Sequence, residues 1–507
     1  MSQSSPAETQ DSGSLDDPLP PGLDPEVFRR LGYRAVDIAT AHLAGMRDRD
    51  VYTPMTPEER SRLMDRPVPA AGMDPETILD TFEREILPFP MGNGHPRFFG
   101  WVNSPPAPIG VIADLLAAAL DPSCAGGDHA AIYVERAAVR WLMDLVGFPA
   151  EGSMGLLVSG GSMASLTCIA AARHRAALED GWNDREEGLQ GQRPLMTLYM
   201  SSEGHTTLVK AAELLGLGSG AVRVIPSRDD LRMDVDALRA RIRADREAGH
   251  RPFCVAASAG TVSTGVIDDL DALADLCTEE GLWLHVDGAY GALGVLDDRL
   301  AARYRGLDRV DSLALDPHKW MSIPVECGCA LVRHESLLRD TFSLVPPYVR
   351  TEANRGIGGL PWYSEYGFQQ TRGFRALKLW MTLLHTGRDT LAAMVSRHVE
   401  LAHRLAELVE ASTDLELMAT GDLSIVCFRY VPLTMPLAEE ELDALNKAIM
   451  EEVQSGGEAF LTQATVRGRF VLRANVLHHA TTEDDLEALL GTVQRTGSRL
   501  ADEIGAW

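Results

Sequence analysis

The runs Leu282-Trp-Leu-His-Val-Asp-Gly-Ala-Tyr290 and Ser312-Leu-Ala-Leu-Asp-Pro-His-Lys-Trp320 decide how this chain folds. Each opens as an apolar segment too short for a helix and closes on polar and turn residues, the pattern of a strand buried on both faces. Working outward, Leu195–Met200, Ala221–Ile225 and Phe253–Ala257 read as further strands. His205–Leu217 reads as a helix that stops at Gly218, and Asp268–Glu279 as one with Leu270, Leu273, Leu276 and Cys277 on one face. Asp268 and Asp269 suit the positive N-terminal end of that second helix. This alternation predicts an α/β fold: a mainly parallel central sheet with helices on both faces. Ligands of such sheets bind beyond the carboxyl ends of the strands. Asp287 and the segment Asp316-Pro-His-Lys319 fall there.

The flanks differ in composition. Residues 1–22 are rich in Ser, Pro and Asp and read as a disordered tail. Residues 23–105 read as a helical segment, with Phe28, Leu31, Ala35 and Ile38, then Ile78, Leu79, Phe82 and Ile86, at helical spacing. Breaks fall at Thr53-Pro54 and Pro67-Val-Pro69. These helices lack a core of their own, so they are expected to wrap around a second copy and make a homodimer. Residues 106–387 then form the large domain, which ends in a long helix through Arg372–His385. Residues 388–507 form a small C-terminal α/β domain with strands at Ser424–Arg429 and Phe470–Ala474.

At 507 residues the chain can bury a large core, and its net charge of −26 argues against nucleic acid or an anionic membrane as partner. Met1–Phe28 contains no Lys or Arg, unlike the basic start of a signal peptide. The apolar run Gly110–Leu120 is too short to span a bilayer and is interrupted by Asp114. A cytoplasmic protein is expected. Seven scattered cysteines fit free thiols. Cys327-Gly-Cys329 could be half of a metal site, but no second half is visible, so buried structural thiols and no metal are expected.

Only four of the 47 basic residues are lysines: Lys210, Lys319, Lys378 and Lys447. Arginine stays protonated and forms no imine, so Schiff-base chemistry must use one of these four. Lys210, Lys378 and Lys447 lie within helical patterns and read as solvated or snorkelling side chains. Lys319 instead follows a strand exit, where Pro317 re-aims the chain. Alone, His-Lys after a strand is more often a surface loop. Its neighbours argue otherwise.

Asp287 ends an apolar strand, where a carboxylate needs a partner. A protonated pyridine nitrogen is one candidate and a cap or turn beside Gly288 is the other. Ser159-Gly-Gly-Ser162 lies between the apolar Leu156-Leu-Val158 and a helix from Met163. Small residues in that setting let backbone N–H groups approach a phosphate, although linkers look the same. His205 opens a helix after a strand and could stack on an aromatic cofactor; a lone histidine is more often structural.

Together these residues resemble the group II pyridoxal-5′-phosphate (PLP) decarboxylases, the family of aromatic-L-amino-acid, glutamate and histidine decarboxylases. The likeness runs from about Asp24 to the C-terminus. It rests on His95-Pro-Arg-Phe-Phe99, Ser159-Gly-Gly-Ser162, Gly204-His205, Gly260-Thr261, His285-Val-Asp-Gly-Ala-Tyr290, Pro317-His-Lys-Trp320 and Phe374-Arg-Ala-Leu-Lys-Leu-Trp380.

The resemblance implies PLP fold type I, the aspartate-aminotransferase-like architecture. It implies that Lys319 carries PLP, that Asp287 pairs with the ring nitrogen and that His205 stacks on the ring. Gly161, Ser162 and His318 would surround the phosphate, while Thr261 and Ala289 would line the cofactor. Tyr348 matches a loop tyrosine that protonates the substrate carbon after CO₂ leaves. Trp101, Asp128 and His129 match positions of the side-chain pocket.

Three departures stand out: Asp316 where the family usually has Asn, Val262 in place of a threonine, and Met163 in the turn motif. The implied activity is decarboxylation of an aromatic L-amino acid, with glutamate disfavoured by Asp128. The alternatives are a decarboxylating aldehyde synthase, which often changes the loop tyrosine or the stacking histidine, and an aminotransferase on the same fold.

Overall fold

Five-residue strands with every residue buried, such as Met154–Val158 and Gly328–Val332, can exist only inside a covered sheet. The computed structural model describes residues 22–191, 193–345, 356–433 and 435–505. It places seven strands side by side: β1 (Met154–Val158), β2 (Met196–Ser201), β3 (Val222–Ile225), β4 (Arg251–Ser258), β5 (Trp283–Asp287), β6 (Ser312–Leu315) and β7 (Gly328–Val332). Their order is β1-β7-β6-β5-β4-β2-β3. All pairings are parallel except those of β7, which runs antiparallel to both β1 and β6. Cys327-Gly-Cys329 therefore leads into a strand the sequence did not reveal.

The chain divides into two units, Met1–Arg49 with Thr53–Pro90, and Asp50–Tyr52 with Met91–Trp507. The described part of the first is helical: α1 (Pro25–Ala44), α2 (Pro57–Met64) and α3 (Pro75–Glu85). Each opens on a proline preceded by a side chain that caps free N–H groups, Asp24, Thr56 and Asp74 in turn. Thr56 and Glu59 complete a reciprocal capping box. No residue of α1 is buried; Arg34 ties it to α3 through Glu76, at 2.9 Å, and Asp80.

In the second unit the sheet is followed by a helix, Arg375–Ala411, longer than the sequence reading and broken in its path at Gly387, where φ is 71°. A four-stranded antiparallel sheet comes next. It consists of β8 (Leu415–Thr420), β9 (Ile425–Tyr430), β10 (Thr462–Val466) and β11 (Arg469–Asn475), in the order β10-β11-β9-β8. All seven cysteines carry free, buried thiols. Burial pushes Cys168 and Cys327 up to about 12, so they stay protonated.

β1 lies at the sheet's edge and hydrogen-bonds to a strand on one side only. A charge pair occupies its other side. Helix α5 (Ala130–Val146), numbered after α4 (Pro108–Leu120), supplies Glu135, which accepts from Leu157 N–H at 3.0 Å. Arg372 donates to the Leu157 carbonyl at 2.6 Å, to Cys124 O at 2.9 Å and to Glu135 itself at 3.0 Å. Both side chains are 1% exposed. Charges this deep are tolerable because nearly every polar atom is paired. Glu135→Gln should lower unfolding stability in urea by about 3–5 kcal/mol, because it strands the Arg372 charge. A loss below about 1 kcal/mol would place the pair among surface-like bridges.

Candidate active site

The carboxyl ends of β1, β2, β4, β5 and β6 converge on one cavity of about 430 Å³. From β1 the chain turns through Ser159-Gly160 into α6 (Gly161–Glu179). This turn needs glycine. A Cβ on Gly161 would stand 2.8 Å from Ala289 Cβ and 2.9 Å from Asp316 Oδ2, and one on Gly328 would stand 2.5 Å from Gly160 Cα. The first turn of α6 has neither a side-chain cap nor an acidic residue, so its N–H groups stay open to an anion.

β5 ends on half-buried Asp287, in register with Ser258 and Ala314, and Asp287 Oδ1 accepts from Ala289 N–H at 3.1 Å. Two residues earlier His285 lies fully buried between Ser312 Oγ (2.9 Å) and Ser165 Oγ (3.3 Å). Burial pushes His285 down to about 4, so it is neutral. β6 ends at Leu315, and the chain runs through Asp316 and turns at Pro317, which brings Lys319 Nζ to 2.9 Å from Asp316 Oδ2. His318 Nδ1 lies 2.7 Å from Cys327 O.

Trp320 anchors this segment. It is fully buried, stacks on Tyr290 at 5.2 Å and donates from Nε1 to His398 Nδ1 at 2.9 Å. Burial pushes His398 down to about 3, which leaves Nδ1 a free acceptor. Beyond β2, exposed His205 accepts from Thr207 N–H through Nδ1 at 3.1 Å, which leaves Nε2 as the nitrogen that carries a proton. Thr261, after β4, is 3.0 Å from Thr264 Oγ1.

The cavity lining thus gathers Gly161, Ser162, His205, Thr261, Asp287, Ala289, His318 and Lys319. Trp101, Asp128 and His129 are not among its lining residues. Trp101, at φ 43°, is half exposed and packs on Phe98 and Phe460, although the next residue, Val102, does line the cavity. Asp128 accepts from Tyr133 Oη at 2.5 Å, and its N–H donates to Ile357 O. His129 Nε2 is 3.2 Å from Gly126 O. Tyr348 lies outside the described residues.

The sequence reading missed Glu326 in the lining. It accepts from Arg375 Nε at 2.9 Å, and its signal was a lone acid in the apolar run after Trp320. Of the other lysines, Lys210 and Lys447 are exposed, whereas Lys378 buries its stem and reaches the part-exposed Asp114 at 3.3 Å, the snorkelling alternative of the sequence reading.

The cavity offers an amine, a carboxylate at a strand end, an imidazole and an uncapped helix N-terminus, the donor set that a phosphorylated pyridine aldehyde requires. The family model described as "Pyridoxal-dependent decarboxylase conserved domain" matches residues 57–431. The chain belongs to that family.

This decarboxylase is 32% identical to an aromatic-L-amino-acid decarboxylase of Bacillus atrophaeus over 484 residues, which cover 95% of this chain and 97% of the relative. It is 27% identical to a phenylacetaldehyde synthase of a Rosa hybrid cultivar, covering 94% and 95%. The crystal structure of Oryza sativa TDC with PLP and tryptamine superposes with a TM-score of 0.88 at 25% identity, covering 95% of this chain and 100% of that one. The fold is thus that of the PLP decarboxylases, and the cofactor is PLP. Borohydride reduction of the holoenzyme should leave one cofactor adduct, on the peptide that carries Lys319. An adduct on Lys210, Lys378 or Lys447 in peptide mass mapping would overturn that placement.

Proposed function

We propose that this decarboxylase releases the carboxylate of an aromatic L-amino acid as CO₂ and returns the corresponding amine. The observation that carries this reading is the meeting of Lys319 and Asp287 in one cavity at the sheet's carboxyl edge. The similarity to an aromatic-L-amino-acid decarboxylase over nearly the whole chain supports the substrate class. When bound, PLP supplies an electron sink for the pair left at the substrate carbon.

The protein's part is to orient and to manage protons. Lys319 is the attachment point. Asp287, held by Ala289 N–H, keeps a proton on the ring nitrogen. His205, oriented by Thr207 N–H, would stack on the ring. Gly161, Ser162 and His318 hold the phosphate, and Thr261 and Ala289 complete the walls. On the strength of the family resemblance, Tyr348 delivers the proton to the substrate carbon, and Trp101, Asp128 and His129 shape the side-chain pocket.

The likeness to a phenylacetaldehyde synthase supports a second reading, an oxidative decarboxylation that yields an aldehyde. The presence of both Tyr348 and His205 favours the amine. One experiment separates the two. The standard amino acids are screened for CO₂, amine and peroxide, with wild type and Tyr348→Phe side by side. Wild type should make amine from aromatic substrates and no peroxide. Tyr348→Phe should keep releasing CO₂ but consume O₂ and give aldehyde, ammonia and peroxide. Wild-type peroxide, or an unchanged Tyr348→Phe, would reverse the assignment.

The working form is a homodimer in the cytoplasm. Among the described residues no helix is long and apolar enough to cross a membrane, and seven free thiols suit a reducing compartment. α4 supports the dimer, because Ile112, Leu115, Leu116 and Leu120 are 46 to 67% exposed along one helix. A second copy covers them. Light scattering should report twice the chain mass, and Leu116→Arg should halve it; a wild-type monomer would refute the dimer.

A further inference from the structure

The cavity that receives a phosphorylated cofactor is itself acidic. Lys319 is the sole lysine or arginine among its described lining residues, whereas Asp287, Asp316 and Glu326 all face it. Two of the three acids are accounted for, Glu326 by Arg375 and Asp287 by Ala289 N–H. Asp316 is not. It is buried, its Oδ2 lies 2.9 Å from Lys319 Nζ, and its Oδ1 is buried with no hydrogen-bond partner. His318 Nδ1 is 3.9 Å from Oδ1 and is already engaged by Cys327 O.

The position of this acceptor is telling. Asp316 packs on the turn that opens α6: a Cβ on Gly161 would meet Oδ2 at 2.9 Å, and one on Gly160 would lie 3.8 Å from Oδ1. The acceptor without a donor therefore borders the open N–H groups of the helix, where an anion belongs. A carboxylate and a phosphate dianion in one buried place repel each other, and neither has a hydrogen to give. Lys319 cannot remain the remedy, because once it carries the cofactor it no longer presents an ammonium to Asp316. A proton between the two acids removes one charge and supplies the missing donor.

We propose that Asp316 holds the cofactor phosphate through a shared proton, taken up as the phosphate enters and lying between Oδ1 and a phosphate oxygen. This rests on the reading that the Gly161-Ser162 turn receives the phosphate. The charged and titratable groups around it are Lys319 and His318 on its own segment, Asp287 and His205 from neighbouring strand ends, and Glu326 with Cys327 before β7. The turn from β1 into α6 adds none.

The test uses pyridoxamine 5′-phosphate, which forms no imine, with pyridoxamine as the phosphate-free control. Both are titrated into the Lys319→Ala chain, so that the amine neither gives nor takes a proton, and into the same chain with Asp316→Asn. Calorimetry at pH 8 in buffers of different ionisation heat should show about one proton taken up per phosphate ligand with Asp316 present and about none in Asp316→Asn. The dissociation constant should weaken about tenfold per pH unit above 7 in the first chain, beyond any slope in the second. The phosphorus resonance of the bound ligand at pH 8 should keep a monoanion-like position only with Asp316, since a free phosphate ester is a dianion there. Matching thermal unfolding of the two chains establishes that both are folded.

If pyridoxamine 5′-phosphate binds no tighter than pyridoxamine, the phosphate site itself is misplaced. If it binds tighter with no proton uptake, or with the same uptake in Asp316→Asn, the shared proton is wrong and the site reading stands.

Discussion

The pairing of Glu135 with Arg372 is the constraint on which the rest of the site depends. An edge strand offers unpaired N–H and C=O groups, and β1 is both an edge and the strand that delivers the Ser159–Ser162 turn to the cavity. Glu135 and Arg372 satisfy the free side of Leu157, two residues before Ser159. They also tie α5 and the start of the long helix to the same point. Burying two charges is costly, and an apolar cover could have packed as well. A charged pair adds fixed directions to the packing, and that suits a turn whose N–H groups are left open toward the cavity.

With β1 fixed, the other functional groups follow from register. Asp287 pairs with Ser258 on one side and Ala314 on the other, so the exits of β4, β5 and β6 arrive at one level. Beneath them the histidines are kept neutral by burial, His285 between two hydroxyls and His398 under Trp320. Apart from Glu326, the charged and imidazole groups that line the cavity lie at or just beyond strand ends. Charge is thereby concentrated at the cavity.

Much of this was legible in the sequence because it is local. The eight cofactor-cavity residues lie within a few positions of strand exits, and most of the predicted strands are displaced by only one or two residues. What the sequence hid is long-range or masked by other signals. β7 was read as a pair of cysteines, since Cys327-Gly-Cys329 attracts attention for its sulfur rather than its β-branched neighbours. Glu135 and Arg372 are 237 positions apart, and no periodicity links them. Trp101 and Asp128 are placed by Phe460 and Ile357, on distant parts of the chain, so motif matching alone could not say how far they stand from the cavity lining.

The scarcity of lysine acquires a meaning from where the four residues sit. PLP is a free aldehyde before it is bound, and any neutral primary amine can condense with it. A protein with an ordinary complement of surface lysines would present many competing amines to each arriving molecule. Here Lys378 is buried against Asp114, and only Lys210 and Lys447 stand in solvent outside the cavity that holds Lys319. Arginine carries nearly all the positive surface charge and makes the ion pairs without being a nucleophile. Depletion of this kind favours the amine in the cavity, because so few others can be reached.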